Sequence, residues 1–170
     1  MLWTVGHSTH GLEEFLALLR AHGVATVADV RRYPASRRHP HFAGAPLARA
    51  LADAGLGYLP LPGLGGRRPA RRDSPNRGWR SAGFRGYADY MQTEEFSAAI
   101  GQLLERGRTN NAAIMCAEAV PWRCHRSLIG DALVVRNVEV LDIMTEKSAK
   151  PHTLTSFARV EGERVWYPAG

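Results

Sequence analysis

The sequence predicts an α/β domain with a mainly parallel, five-stranded sheet, helices on both faces, and a C-terminal β-hairpin. Three observations carry this. Short apolar, β-favouring runs alternate along the chain with stretches of helical period. One of those runs, Val24 to Val30, is nearly all apolar, as expected of a parallel strand covered on both faces. The densest set of reactive side chains falls in a strand-to-helix turn, where open α/β sheets bind ligands. At 170 residues the chain reads as one domain, 1–170, with its core at about 2–143 and the hairpin extension at about 153–168.

Each element has its own warrant. Leu2 to Val5 is a first strand stopped by Gly6, with Ser8 or Thr9 expected to cap the helix that follows. That helix shows its apolar face as Leu12, Phe15, Leu16, Leu18 and Leu19 and ends at Gly23. After the second strand comes a loop rich in Pro, Arg and His, from Tyr33 to Phe42. Pro46 to Ala54 fits a short helix closed by Gly55, and Tyr58 to Leu61 a third strand. Pro62 to Gly83 has no periodicity; a loop this long in a compact domain is functional or disordered. Phe84, Tyr87, Tyr90, Met91 and Phe96 mark helical packing up to Gly107. Ala112 to Cys116 is a buried strand, and Leu128, Ile129, Ala132, Leu133 and Val135 mark the helix after it. Val138 to Ile143 is the fifth strand. Ser156–Val160 and Arg164–Tyr167 flank Gly162 as a hairpin.

The net charge is +6, and all of it lies between Arg67 and Arg85, where seven arginines face one acid, Asp73. Such a stretch is either a solvated loop or an electrostatic footprint for phosphates. Trp79 and Phe84 interleave with these arginines, which suits base stacking as well as anchoring of the loop to the core. No apolar run approaches the roughly 18–20 residues of a membrane span, and no basic, apolar and small-residue leader opens the chain. The expectation is a cytoplasmic protein with both cysteines reduced and no membrane partner.

The chemistry concentrates between Cys116 and Ser127. Cys124 stands at a helix start beside His125, between Arg123 and Arg126, all of which favour a thiolate nucleophile; a structural thiol is the plain alternative. Cys116 reads more simply as a small core residue. Glu118 is a candidate general acid or base, or a salt-bridge partner of Arg123 or Arg126. His7 and Ser8 follow the first strand, and Asp29 and Arg31 the second, so a parallel sheet would bring them to the same edge. Their plainer readings are a helix cap and an internal salt bridge. Cys116, Cys124 and His125 could supply three metal ligands, but the second half of a zinc signature is missing, so neither metal nor other cofactor is expected.

Several landmarks stand in one order: Gly6-His7-Ser8, Asp29-Val30-Arg31, Pro34 with Ser36-Arg37, Leu64-Gly65-Gly66, Tyr87-Ala88-Asp89-Tyr90-Met91, and Cys116-Ala117-Glu118 followed by Cys124-His125-Arg126. This pattern resembles the domain-of-unknown-function family 488 from about Leu2 to Ile143. The resemblance implies no settled activity. Members of that family often carry His before the Ile that ends the fifth strand, where this chain has Asp142. A looser similarity links the strand-end Asp29-Val30-Arg31 and the Cys-loop-Arg-Ser order to rhodanese-like domains. There the loop is shorter than the nine residues between Cys116 and Arg126.

The expected function is therefore an enzyme acting on a phosphate-bearing substrate, nucleic acid or nucleotide. Glu118, Cys124, His125, His7 and Asp29 are the candidate reactive groups. Ser8, Arg31, Arg37, Arg126, Ser127, Arg67, Arg68, Arg71, Arg72 and Trp79 are the candidate anion or nucleic-acid contacts. A non-catalytic nucleic-acid-binding module and a sulfurtransferase are the alternatives.

Overall fold

The computed structural model describes all 170 residues. Six strands form one sheet: β1 (Leu2–Gly6), β2 (Thr26–Asp29), β3 (Gly57–Pro60), β4 (Ala112–Cys116), β5 (Val140–Thr145) and β6 (Ser148–Pro151), in the order β3-β2-β4-β1-β5-β6. The first five are mutually parallel and β6 pairs antiparallel with β5. A separate hairpin, β7 (Arg159–Glu161) and β8 (Arg164–Trp166), turns at Gly162 with φ +60°. The sheet thus has one strand more than the sequence predicts. Ser148-Ala149-Lys150-Pro151 has little β-propensity of its own and is strand because β5 offers it an edge.

Alternation along β4 builds two cores. Ala113 and Met115 face a cluster with Phe15, Leu16 and Leu19 of α1 (Leu12–Ala21) and Leu47 and Leu51 of α2 (Gly44–Asp53). Ala112, Ile114 and Cys116 face Tyr87 of α3 (Ala82–Tyr90), Ile100 and Leu103 of α4 (Glu94–Thr109), and Leu128 and Ile129 of α5 (Arg126–Val134). The predicted helical region from Phe84 to Gly107 is two helices. Thr93 breaks it and caps α4, accepting a hydrogen bond from the Phe96 N–H at 3.3 Å.

This division of helices positions the site. The chain runs β1 to β2 to β3 with α1 and α2 on one face, then returns to β4 and β5 with α3, α4 and α5 on the other. Adjacent β1 and β4 therefore send their connections to opposite faces. Their carboxyl ends part, and a crevice opens between them.

The start of α1 differs from expectation. Its N-cap is Gly11, with no side-chain cap, and neither Ser8 nor Thr9 serves. The chain first makes a tight turn in which Ser8 takes φ 47° and its N–H donates to the Ala117 carbonyl at 3.0 Å. That turn belongs to the crevice rather than to the helix.

Candidate active site

A cleft of about 520 Å³ occupies the crevice, in the size range of small-ligand sites. Its walls come from the carboxyl ends of three adjacent strands and the turn into α5: His7 after β1, Arg31 to Tyr33 after β2, Cys116 to Glu118 after β4, and Cys124 with His125 before α5. Arg67 and Phe84 close it from the side of the long loop. The register puts Gly6 opposite Cys116 and Asp29 opposite Met115, so the exits are level. Gly6 makes the approach possible. A Cβ there would fall on the Glu118 carbonyl, so only glycine lets the 117–119 turn fold back over β1.

Arg31 is the best-held cation in the cleft. Its Nε and Nη2 donate to the two carboxylate oxygens of Asp29 at 2.8 and 2.7 Å, a bidentate pair. Tyr58 donates to the same carboxylate at 2.6 Å. Burial works against the Arg31 charge, but the bond to Asp29 outweighs it and the guanidinium is held more firmly than usual. Asp29 is thereby a positioning residue and lies below the cleft lining. One donor remains: Nη1 of Arg31 is buried with no partner.

His7 donates through Nδ1 to the Ser8 carbonyl at 3.0 Å, which leaves Nε2 as the lone-pair nitrogen, and its ring stacks on Phe42 at 4.4 Å. Burial lowers its pKa to about 4, so it stays neutral at pH 7. His125 is lowered to about 4 by the same cause. Its Nε2 lies 3.0 Å from the Val30 carbonyl and must be the protonated nitrogen, so Nδ1 accepts from the Cys124 thiol at 3.4 Å. Both nitrogens of His125 are engaged, and it serves as a wall of the cleft rather than as a free acid or base. Glu118 lines the cleft, is exposed and has no ion-pair partner there; neither predicted salt bridge to Arg123 or Arg126 forms.

Cys124 was expected either as a thiolate nucleophile or as a structural thiol. Its hydrogen bond with Cys116 and its burial push its pKa up. Cys116 is pushed down, first by that same bond from Cys124 and further by the charge of Arg126. Cys124 Sγ also accepts from the Arg126 N–H at 3.4 Å, and Cys116 Sγ donates to the Glu118 carbonyl at 3.8 Å.

The remaining predicted contacts divide. Arg126 is 1% exposed and lies beneath the loop, so it cannot meet a ligand in the cleft. Ser127 spends its hydroxyl on the Cys124 carbonyl at 3.0 Å. Ser8 and Arg37 lie off the lining. The arginine-rich loop is ordered, and Asp89 orders it: its carboxylate accepts from Ser74 Oγ at 2.6 Å, Asn76 Nδ2 at 2.8 Å and the Arg71 N–H at 2.8 Å. Tyr87 and Tyr90 pin the Leu64 and Gly63 carbonyls at 2.7 and 2.6 Å. Arg68 lies over the Tyr90 ring and Arg71 pairs with Asp73, while Arg72 is exposed on the outer side. Trp79 packs its ring against Phe84, Phe157 and Tyr167 at 4.8–5.3 Å. It is an anchor, and the stacking role predicted for it has no free ring face to use.

Of the exposed rings near the cleft, Tyr33 belongs to the loop whose aromatics interleave with arginines in the sequence, and Trp122 is the one that sequence reasoning passed over. Tyr33 is 60% exposed and lines the cleft, with Arg32 and Arg67 over its ring at 5.5 and 5.9 Å. Trp122, 64% exposed, stands in the turn between Glu118 and Cys124. Large exposed rings amid arginines were the available signal.

A family model described as domain of unknown function DUF488 matches residues 11–133. No curated protein and no solved structure matches the chain. The chain belongs to the DUF488 family.

Proposed function

We propose that this DUF488 member is an enzyme whose cleft binds a phosphate-bearing substrate of nucleotide size, a free nucleotide or the end of a single strand. The observation that carries this reading is the unpartnered Nη1 of Arg31, a buried donor on a guanidinium locked by Asp29. An unpaired donor on a fixed cation is built to receive an anion, because leaving it empty costs about 1–3 kcal/mol. Tyr33 supplies a flat surface for a base at the mouth, and the exposed Trp122, in the turn between Glu118 and Cys124, is a second candidate. Glu118 is the acid–base group, and the neutral His7 is a second proton acceptor through Nε2.

A cleft of this size favours the enzyme over a broad nucleic-acid-binding face. It gives no support to duplex binding, because most arginines of the loop are engaged locally or point outward. The test is a fluorescence titration with nucleotides, short single strands and duplexes at several salt concentrations. Saturable binding of nucleotides or single strands is expected, with a shallow salt slope of about 0.7 per neutralised phosphate. Arg31→Lys keeps a cation beside Asp29 but loses the second face, and should weaken that binding roughly 10- to 100-fold. Steep, duplex-preferring binding abolished by replacing Arg67, Arg68, Arg71 and Arg72 would replace this reading with the binding module.

A further inference from the structure

Arg31 is the inner cation of the cleft, and two more stand beside it without an anion. Arg32 and Arg67 both line the cleft, and their guanidiniums lie over the Tyr33 ring at 5.5 and 5.9 Å. Two like charges therefore share one ring. Neither forms an ion pair with a carboxylate. Glu118 is the one acid on the lining, and it is exposed and unpaired. The ring offsets part of the repulsion, as an aromatic quadrupole does for a cation. An anion beside both guanidiniums would offset the rest.

The pair is fixed by the chain around it. Arg32 Nη1 donates to the Arg67 carbonyl at 2.8 Å. Gly65 makes the approach possible, because a Cβ there would fall 2.4 Å from Arg32 Cα. Arg67 takes φ 60°, a left-handed conformation uncommon for a residue with a side chain. Such conformations persist where the surroundings over-determine them, and they gather at ligand sites. Tyr87 and Tyr90 anchor the loop just before Arg67 through the Leu64 and Gly63 carbonyls. Arg123 also lines the cleft, but from an exposed turn.

We propose that the cleft takes a substrate with two phosphate groups, the terminal one on Arg31 and the next against Arg32 and Arg67, with the base toward the mouth. This rests on the reading of Arg31 as a phosphate contact. Arg31 spends Nε and Nη2 on Asp29 and keeps only Nη1 free. A single phosphate held there leaves the Arg32–Arg67 pair uncompensated. A second phosphate meets that pair, since Arg32 spends only Nη1 on the chain. Two kinds of ligand carry this chemistry. In a nucleoside diphosphate the two groups share a bridging oxygen. At the 5′-phosphorylated end of a single strand a nucleoside separates them.

The test is calorimetric titration of the full chain, without added metal. The ligands are inorganic phosphate, pyrophosphate, adenosine mono-, di- and triphosphate, and a 5′-phosphorylated dinucleotide. Pyrophosphate should bind roughly 10- to 100-fold tighter than phosphate, the worth of a hydrogen bond between charged groups. The diphosphate or the dinucleotide should exceed the monophosphate by a similar factor, and the tighter of the two identifies the source. The triphosphate should bind no tighter than the diphosphate, because Arg31 already holds the terminal group. Arg67→Gly keeps the left-handed backbone and removes the guanidinium. It should abolish most of the pyrophosphate advantage, whereas Arg31→Lys should weaken both ligands. The series on the unmutated chain decides the matter even if a variant fails to fold. Three results would overturn the second phosphate and leave the Arg31 reading standing. They are equal affinity for one- and two-phosphate ligands, a further gain of the same size at the third phosphate, and a full pyrophosphate advantage in Arg67→Gly. No binding of any phosphate ligand would remove the Arg31 reading itself, and this proposal with it.

Discussion

Buried charge lies on both sides of β1, and the two sides treat it in opposite ways. Toward β5, His152 sits between Asp131 at 2.8 Å and Asp142 at 3.4 Å. Asp131 also accepts from the Tyr167 hydroxyl and the Thr155 N–H, and Asp142 from Thr4 Oγ1 at 2.5 Å. Both carboxylates are multiply bonded, and the network ties the C-terminal segment to the core. Toward β4, Arg31 keeps one donor empty and Arg126 keeps two. Satisfied charge holds the chain together. On the proposed reading, the unsatisfied charge of Arg31 marks where a ligand supplies the missing partner.

The comparison breaks most visibly at Asp131. Asp131→Ala leaves His152 with Asp142 alone and strips the Tyr167 hydroxyl of its acceptor. The expected loss is about 3–5 kcal/mol in urea unfolding. A loss under 1 kcal/mol would mean the β5 side is no structural clasp.

Next is pH, where the two sides should bend the stability curve in opposite directions. Burial alone would lower the His152 pKa, but Asp131 and Asp142 outweigh it and raise it to about 9. The native state therefore holds a proton that the unfolded chain releases near 6.5. This contribution is complete below pH 6.5 and is lost as pH rises through about 9. It is on the order of 2 kcal/mol after allowance for solvent screening. On the cleft side His7 and His125 are lowered to about 4, so there the unfolded chain binds the extra protons. Stability falls as pH drops from 6.5 toward 4. His152→Gln should remove the alkaline limb and leave the acid limb. If the alkaline limb persisted in that variant, His152 would not be its source.

Much of this architecture was legible in the sequence and some was not, for physical reasons. Five strands declared themselves through apolar runs that pack on two faces, as Ala112 to Cys116 does. The edge strand Ser148–Pro151 did not, because its pairing comes from β5 rather than from its own side chains. His7, Arg31, Glu118 and His125 follow strand ends, so parallel topology alone brings them to one cleft. The roles of Cys116 and Cys124 depend on which neighbour takes a proton, which chain order does not encode. Arg126 looked like an anion contact until the 117–125 turn was seen to lie over it. The partner of Asp142 was not legible either, because His152 brings its imidazole to that carboxylate from ten residues further on.

The smallest stability effect belongs to Trp122, and it tests whether the unpartnered side is poised for a ligand. The side chain is 64% exposed and bears on no ring of the core. Trp122→Ala should therefore change unfolding free energy by no more than about 0.5 kcal/mol. If the ring is a stacking surface for a base held at Arg31, the same substitution should cost roughly 1–3 kcal/mol of nucleotide affinity. It should leave the salt slope unchanged, because stacking releases no counterions. Arg31→Lys should instead weaken every phosphate-bearing ligand, inorganic phosphate included, whatever base it carries. A Trp122→Ala protein that binds inorganic phosphate normally but nucleotides weakly would separate the two halves of the site. Equal loss for phosphate and nucleotide would move Trp122 from the base to the framework of the 117–125 turn, and the base would then have to rest on Tyr33.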